Sequence, residues 1–469
     1  MRRSVIPAAA APAAAPPGAL ASRRRLVAGG ALLPLGALAA ACSVGAGGGG
    51  GEQAPQAAAM KGTVRYSHLG QKPHPEVFAK LATQFQQANP GVTVTPEPTW
   101  SWDNAKFIAE AVGGDAADLV WTSENYVTPL YVKGVAREVD AYISRDKSFK
   151  LSDYYDTVVN AYKFRGKQAG LPVNFGAYVM HYNKTLFERA GRKLPDDTWT
   201  WDTFLDAAKA LTRPATDGSL GQFGFETRLH ENVYSSWIWN AGGDLFDAEG
   251  NKPLFDKPES IEGMQYLIDL LHRHRVAIAP EVVMQQTGSN PYSTNIFGIT
   301  GNVAMVFNAI YYLPTYRQSE GLQQKEWDIA PVPKGPKARI TTNPTAGVAM
   351  WSGSKSPDAA WAFMRYLISE EASKTYVDMA LDGLPVHKGA ADLVLKDART
   401  PKSKQIYIDA YKYARPAFTT PYGQRAKTEY NNAIRPLFLA GGQVRQAVQE
   451  AMPKIQGALD EEVAADTKK

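Results

Sequence analysis

Three short loops hold the residues best suited to grip a ligand. "HLGQKPH" carries His68, "PTWSWD" carries Trp100 and Trp102, and "WTSEN" carries Trp121, Thr122, Ser123 and Glu124. Each follows a predicted strand. In an open parallel sheet, ligands lie beyond the carboxyl ends of the strands, so these side chains converge on one edge. The indoles offer flat apolar faces, and the hydroxyls and carboxylate offer directed hydrogen bonds. A polyhydroxylated guest such as a carbohydrate needs both, because its ring faces carry C–H groups that stack on aromatics. Each residue also has a plainer reading. Trp121 serves equally well as core, Trp102 as packing beneath its helix, and Glu124 as a solvated charge. A second group lies in "ENVYSSWIWNAGGDLFD". Tyr234 and Trp237 share a helix face, Trp239 points elsewhere, Gly242-Gly243 ends the element, and Asp244 takes hydroxyls or caps a turn. "FNAIYY" places Asn308, Tyr311 and Tyr312 after another strand.

The elements that position these residues follow from periodicity. "TVRYS" alternates as a strand. In "PEVFAKLATQFQQANPG", Val77, Phe78, Leu81, Ala82 and Phe85 recur at helical spacing, and Asn89-Pro90-Gly91 stops the helix. "VTVTPE", "SWDNAKFIAEAVGG" and "ADLVWTS" continue as strand, helix and strand. This order predicts a parallel sheet with helices on both faces. The grammar restarts after "GLPVNFGAY", with a strand at 177–182, a helix at 184–190, a helix capped by Thr200, a helix in "SIEGMQYLIDLLHRHRV" and a strand in "NVAMVFN". Three helical stretches close the chain. They are "SPDAAWAFMRYLISEEASKTYV", 424–439 and 443–464, with Pro436 expected to kink the second.

The start of the chain reads as an address. Five arginines precede the first acid, Glu52, and a short apolar run ends in small residues before Cys42, the only cysteine. That layout is an export signal, and the run is too short for a membrane span. "SRRRLV" also resembles a twin-arginine motif, leaving the export route open. "LAAACS" resembles a lipobox, in which Cys42 becomes the lipidated first residue. The Gly- and Ala-rich stretch from Val44 to Ala59 then acts as a tether. Without a second cysteine no disulfide forms, and stability must come from a large core. Removing the signal takes five arginines from a formal charge of +5. The near-neutral remainder gives no reason to expect nucleic-acid binding.

The segments "LATQFQQANPGVTV", "AEAVGGDAADLVWTS", "GLPVNFGAYVMHYNKTLFERAG", "TWTWDTFLDAAKALT", "WNAGGDLFD", "GNVAMVFN", "WDIAPVPKG" and "SPDAAWAFMRYLISEEASKTYV" occur in an order and spacing that resemble bacterial extracellular solute-binding proteins of the sugar-uptake type, related to maltodextrin-binding proteins. Ala117 replaces the proline usual before the third strand. The resemblance implies two doubly wound α/β lobes joined by hinge strands, with a sugar closed between them and delivered to an ABC permease and its ATPase. It implies lobe 1 at 61–174 with 346–384, and lobe 2 at 177–342 with 386–469. The crossings fall near 173–177, 342–346 and 384–386, with Gly170, Gly176, Gly347 and Gly383 close by. Trp121 and Glu124 match first-lobe contacts. Tyr234, Trp237 and Tyr311 match second-lobe aromatics, and Asn174, Gly243, Asp244 and Asn308 join the candidate ligand set. On this reading, alanine at Tyr311 or Trp237 weakens sugar binding without unfolding the chain. The implied protein is a monomer without cofactor, held outside the membrane by its lipid.

The rival readings are an exported glycosidase, and a receptor for peptides, polyamines, phosphate esters or metal chelates. No H-E-x-x-H, G-x-S-x-G or P-loop supports an enzyme. "SGSK" and "SRDK" fit S-x-x-K without companion motifs, and "HRH" at 272–274 is a weak metal signal.

Overall fold

The computed structural model describes residues 60–100, 105–213, 221–279, 283, 296–416, 420 and 422–467. The export signal, Cys42, the tether and Trp102 lie outside them. Strand β1 (Gly62–Leu69) leads through a loop into the helix His74–Ala88, whose buried face is the expected set Val77, Phe78, Leu81, Ala82 and Phe85, plus His74. The helix stops at Asn89, whose side-chain amide donates back to the Phe85 carbonyl at 2.9 Å. Strands β2 (Val92–Trp100) and β3 (Leu119–Thr122) flank β1, both parallel to it.

A short hairpin, β4 (Lys163–Phe164) and β5 (Lys167–Gln168), precedes β6 (Leu171–Phe175) and β7 (Tyr178–Asn183). The remaining strands are β8 (Phe225–Glu226), β9 (Ala277–Ile278), β10 (Met305–Ala309), β11 (Trp327–Ala330), β12 (Thr341–Thr342), β13 (Thr345–Met350), β14 (Leu384–Pro385) and β15 (Ala414–Arg415). They build two main sheets, ordered β14-β6-β13-β3-β1-β2 and β11-β7-β10-β8-β9. Each sheet carries one lobe of an α/β architecture. Neither sheet is wholly parallel. β13 runs antiparallel to β3 and β6, and β7 runs antiparallel to β10 and β11.

The crossing segments meet side by side. Thr345 and Leu384 both pair with Phe175, and Ala346 and Pro385 both pair with Asn174. The glycines beside them answer to packing, since none of Gly170, Gly176, Gly347 and Gly383 has a left-handed φ. A Cβ on Gly347 would lie 2.4 Å from the Leu171 carbonyl oxygen and 2.6 Å from the Tyr162 hydroxyl. Neither neighbour can retreat easily, so Gly347→Ala should cost about 1–3 kcal/mol in urea unfolding.

Other elements form as their sequences direct. Thr200 caps the helix Trp201–Ala210 in a reciprocal box with Thr203. Thr200→Ala should lower stability by about 1 kcal/mol. The stretch from Pro357 splits into two helices, Pro357–Leu367 and Glu370–Met379, because Ser369 caps the second through the Ala372 amide. The last two helices, Gly423–Ala440 and Val444–Thr467, pack on each other and on Pro258–His272. Their Tyr430, Ile434, Phe438, Val448, Ile455 and Leu459 join the second lobe's core.

Candidate functional site

On the first lobe, β3 ends at Thr122 and a helix, Glu124–Val132, begins at once with Ser123 as its extended N-cap. This abrupt turn sets Glu124 against the crossing strand. One carboxylate oxygen accepts from the Thr345 amide at 2.9 Å and from the Thr345 hydroxyl at 2.7 Å. The Tyr162 hydroxyl lies 3.1 Å from that same threonine oxygen. Burial pushes the Glu124 carboxyl up to about 7, against the two threonine bonds, and the nearby Glu231 adds to the rise.

Glu231 belongs to the second lobe. It opens the helix Glu231–Asn240, where the His230 ring accepts from the Asn232 amide as N-cap. Its carboxylate pairs with Lys427 at 3.0 Å, both side chains being largely buried. Burial works to raise this acid, but His230 and Lys427 outweigh it and hold it at about 2. A similar pair lies alongside. Arg228 donates to Glu226 at 3.1 Å and to the Tyr312 hydroxyl, and its guanidinium sits 5.1 Å from that ring's centroid. Tyr312 tilts against Tyr311 at 5.0 Å, and the Tyr311 hydroxyl bonds that of Tyr178. Tyr311 is 37% exposed, whereas Tyr178 is buried.

The second crossing ties these walls together. Thr341 donates its hydroxyl to the Tyr178 carbonyl at 2.7 Å, Thr342 donates to the Asn232 carbonyl at 2.7 Å, and Thr345 holds Glu124. Around this strip several buried polar atoms have no protein partner. They are Asn125 Oδ1, next in sequence to Glu124, Asn232 Oδ1, whose backbone carbonyl Thr342 holds, and Asn343 Oδ1 in the strip itself.

The other sequence candidates sit as follows. His68 is buried between Tyr66 and Phe78, its Nδ1 is 2.9 Å from the Leu69 carbonyl oxygen, and burial pushes it down to about 4. Trp121 is buried edge-on to Phe78 at 5.3 Å. Trp237 is buried among Trp201, Phe204, Phe225, Tyr266 and Phe307. Tyr234 is buried edge-on to Tyr430 at 5.5 Å. Asn308 is buried and donates to the Tyr316 hydroxyl at 2.8 Å. A Cβ on Gly243 would meet the Ser260 amide at 2.5 Å, so that glycine serves helix approach. Asp244 accepts from the Trp239 indole at 2.9 Å and from Arg415 at 3.1 Å. Asn174 is buried at the meeting of the crossings, where a Cβ on Gly383 would lie 2.5 Å from its Cγ. Trp100 ends β2. The structure thus ties Glu124 to the strip through Thr345 and Tyr311 to it through Tyr178, and fixes Trp121, Tyr234, Trp237, Asn308, Gly243 and His68 in packing. Arg228, Glu231, Asn232, Asn343 and Lys427 were not anticipated. Lys427 lies 196 residues beyond its partner, a separation that no local pattern reports.

The motifs weighed against binding have ordinary uses. Ser144 and Ser352 donate their hydroxyls to the Asp140 and Gly134 carbonyls, each at 2.8 Å. His272 Nε2 lies 3.0 Å from the Phe438 carbonyl oxygen. Among the described residues no group of three or more His, Cys, Asp or Glu is placed to hold a metal ion, and no helix is long and apolar enough to cross a membrane.

Comparison with known proteins then settles the family. The profile of the bacterial extracellular solute-binding proteins matches residues 71–374, well over half of the chain. The chain belongs to that family. This solute-binding protein is 25% identical over 391 residues to a Brucella abortus protein, covering 81% of this chain and 89% of the relative. It is 29% identical over 174 residues to the arabinooligosaccharide-binding protein of Halalkalibacterium halodurans, covering 35% of this chain and 34% of the relative. An ABC substrate-binding protein of Listeria monocytogenes, solved in complex with cycloalternan, superposes with a TM-score of 0.75 at 22% identity, covering 85% of this chain and 99% of that one. At that identity the likeness speaks for the fold. The family is one of binding proteins, as the sequence reading expected, and its fold is the two-lobed one.

Proposed function

We propose that this solute-binding protein captures a neutral mono- or oligosaccharide between its two lobes and delivers it to an ABC importer. One observation carries the reading. Near the second crossing Asn125 Oδ1, Asn232 Oδ1 and Asn343 Oδ1 are buried without hydrogen-bond partners, and Tyr311, bonded to Tyr178 whose carbonyl Thr341 holds, is 37% exposed. The charges there are already paired within the protein, Arg228 with Glu226 and Lys427 with Glu231. A guest that brings hydroxyls and C–H faces satisfies such a wall, because an unpaired buried polar atom costs about 1–3 kcal/mol. A charged guest would compete with pairs already made. The sugar oligomers named for the Listeria and Halalkalibacterium proteins support the same class.

In this reading the lobes turn about β6, β13 and β14, and ligand favours the closed form by touching both walls. On this reading Tyr311 presents the exposed platform, with Ser123 and Glu124 behind it at the end of β3. Acylation of Cys42 and the following tether hold the protein outside the membrane, near its permease, as a monomer. A thermal-shift panel tests the class. Neutral oligosaccharides should raise the melting temperature by several degrees, while peptides, polyamines and phosphate esters should not. Shifts confined to the charged solutes would reject the sugar reading.

A further inference from the structure

The tip of the β4–β5 hairpin carries a strained residue. Arg165 has φ +48° and is followed by Gly166 at φ +79°. A glycine follows naturally in such a turn, but a long side chain in the left-handed region costs on the order of 1 kcal/mol. The two-residue hairpin demands positive φ at both positions, so the turn itself imposes this cost and glycine would meet it more cheaply.

The hairpin is anchored on the first lobe. Gln168 donates its side-chain amide to the Val159 and Gly170 carbonyls at 3.1 and 2.8 Å, and its backbone amide to Asp140 at 2.9 Å. Phe164 meets Tyr131 of the helix Glu124–Val132 edge-on at 6.4 Å. The tip, however, reaches the second lobe. Arg165 Nη2 donates to the Tyr422 hydroxyl at 3.2 Å, with its guanidinium 4.8 Å from the Phe164 ring centroid. Phe164 also meets the Tyr422 ring edge-on at 6.5 Å. Tyr422 is buried in the second core and immediately precedes the helix Gly423–Ala440. Two residues on, Gln424 donates to the Asn125 carbonyl at 3.3 Å, again across the lobes. Both contacts come from the start of one second-lobe helix, by a route separate from the three crossing strands.

We infer that Phe164 and Arg165 form a clasp that closes on Tyr422 and holds the two lobes together, so that the hairpin tip sets how readily the cleft opens. The inference rests on the two-lobed clamp proposed above, and not on which solute is bound. Arg165 is a positioning residue here, since it touches no ligand in this account.

The test measures the distance between lobes without any sugar. In the full chain with Cys42→Ser, spin labels at Lys80→Cys and Arg189→Cys, both exposed, report the separation by pulsed electron resonance. Arg165→Gly removes the side chain and relieves the turn, so its melting temperature should stay level or rise. Its ratio of compact to extended populations should nevertheless fall by about five- to tenfold, the worth of one hydrogen bond. Tyr422→Phe, which keeps the ring, should lower the ratio in the same direction. The double variant should fall little further than the larger single effect. Unchanged distance distributions in both single variants would overturn the clasp. So would a lower melting temperature at an unchanged ratio, which is what a purely structural turn predicts. A failed sugar screen leaves this result untouched.

Discussion

Tyr311→Ala should weaken sugar binding by about ten- to fiftyfold while leaving the unfolding midpoint within a degree or two, whereas Trp237→Ala should unfold the chain at moderate temperature. The sequence groups the two residues as ligand aromatics; their surroundings separate them. Tyr311 is 37% exposed and its ring stands over Tyr312 at 5.0 Å, so its loss removes a stacking face and one hydroxyl bond to Tyr178. The lost platform accounts for the weaker binding, about 1.4–2.3 kcal/mol, whereas the Tyr178 bond lies within the protein and counts toward stability alone. Trp237 is only 3% exposed and touches five other rings. Truncating it leaves a cavity that the helix Glu231–Asn240 cannot fill, at about 3–5 kcal/mol. Calorimetric titration and thermal unfolding on both variants check the pair. Normal sugar binding in Tyr311→Ala would move the platform elsewhere.

Glu124→Gln should flatten the pH dependence of stability. The folded carboxyl is raised from 4.5 to about 7, first by burial and then by Glu231. The folded state therefore holds its proton where the unfolded chain has lost it. The stabilisation linked to that proton is complete below about pH 4.5 and is lost as pH rises through about 7. The total is about 3 kcal/mol, at 1.36 kcal/mol per unit. Glutamine keeps an acceptor for the Thr345 amide and hydroxyl but carries no titrating proton. Urea unfolding from pH 5 to pH 8 should thus show the native protein losing about 2.5 kcal/mol more than the variant. Parallel curves would mean that the carboxyl is solvated in solution. Because Glu124 reaches Thr345 in the crossing strand, the same titration should tune lobe motion as well.

What could be read beforehand follows from how local each signal is. The helix His74–Ala88 announces itself through five apolar residues at one spacing, and its stop through Asn89-Pro90-Gly91. The crossings were placed by the family resemblance, and β13 and β14 both pair with β6 at those positions. Why glycine stands beside them was not legible, because the lack of room for a Cβ on Gly347, which would lie 2.4 Å from the Leu171 carbonyl oxygen, is a tertiary fact. The helix Glu231–Asn240 shows why the site was harder. It is buried throughout its length, so the face shared by Tyr234 and Trp237 says nothing about which ring meets a ligand. Arg228 and Glu226 are two residues apart, but the pair of Glu231 with Lys427 spans 196 residues. Only the fold brings them together. Glu124 was reachable because the strand-end rule needs just the order of strands and helices.

Titration calorimetry of neutral oligosaccharides at low and high ionic strength tests the central claim most directly. At least one neutral sugar should bind with an affinity that salt leaves unchanged, since Arg228 is paired with Glu226 and Lys427 with Glu231. Silence from every neutral sugar, together with tight binding of a charged solute that weakens as salt is added, would contradict it.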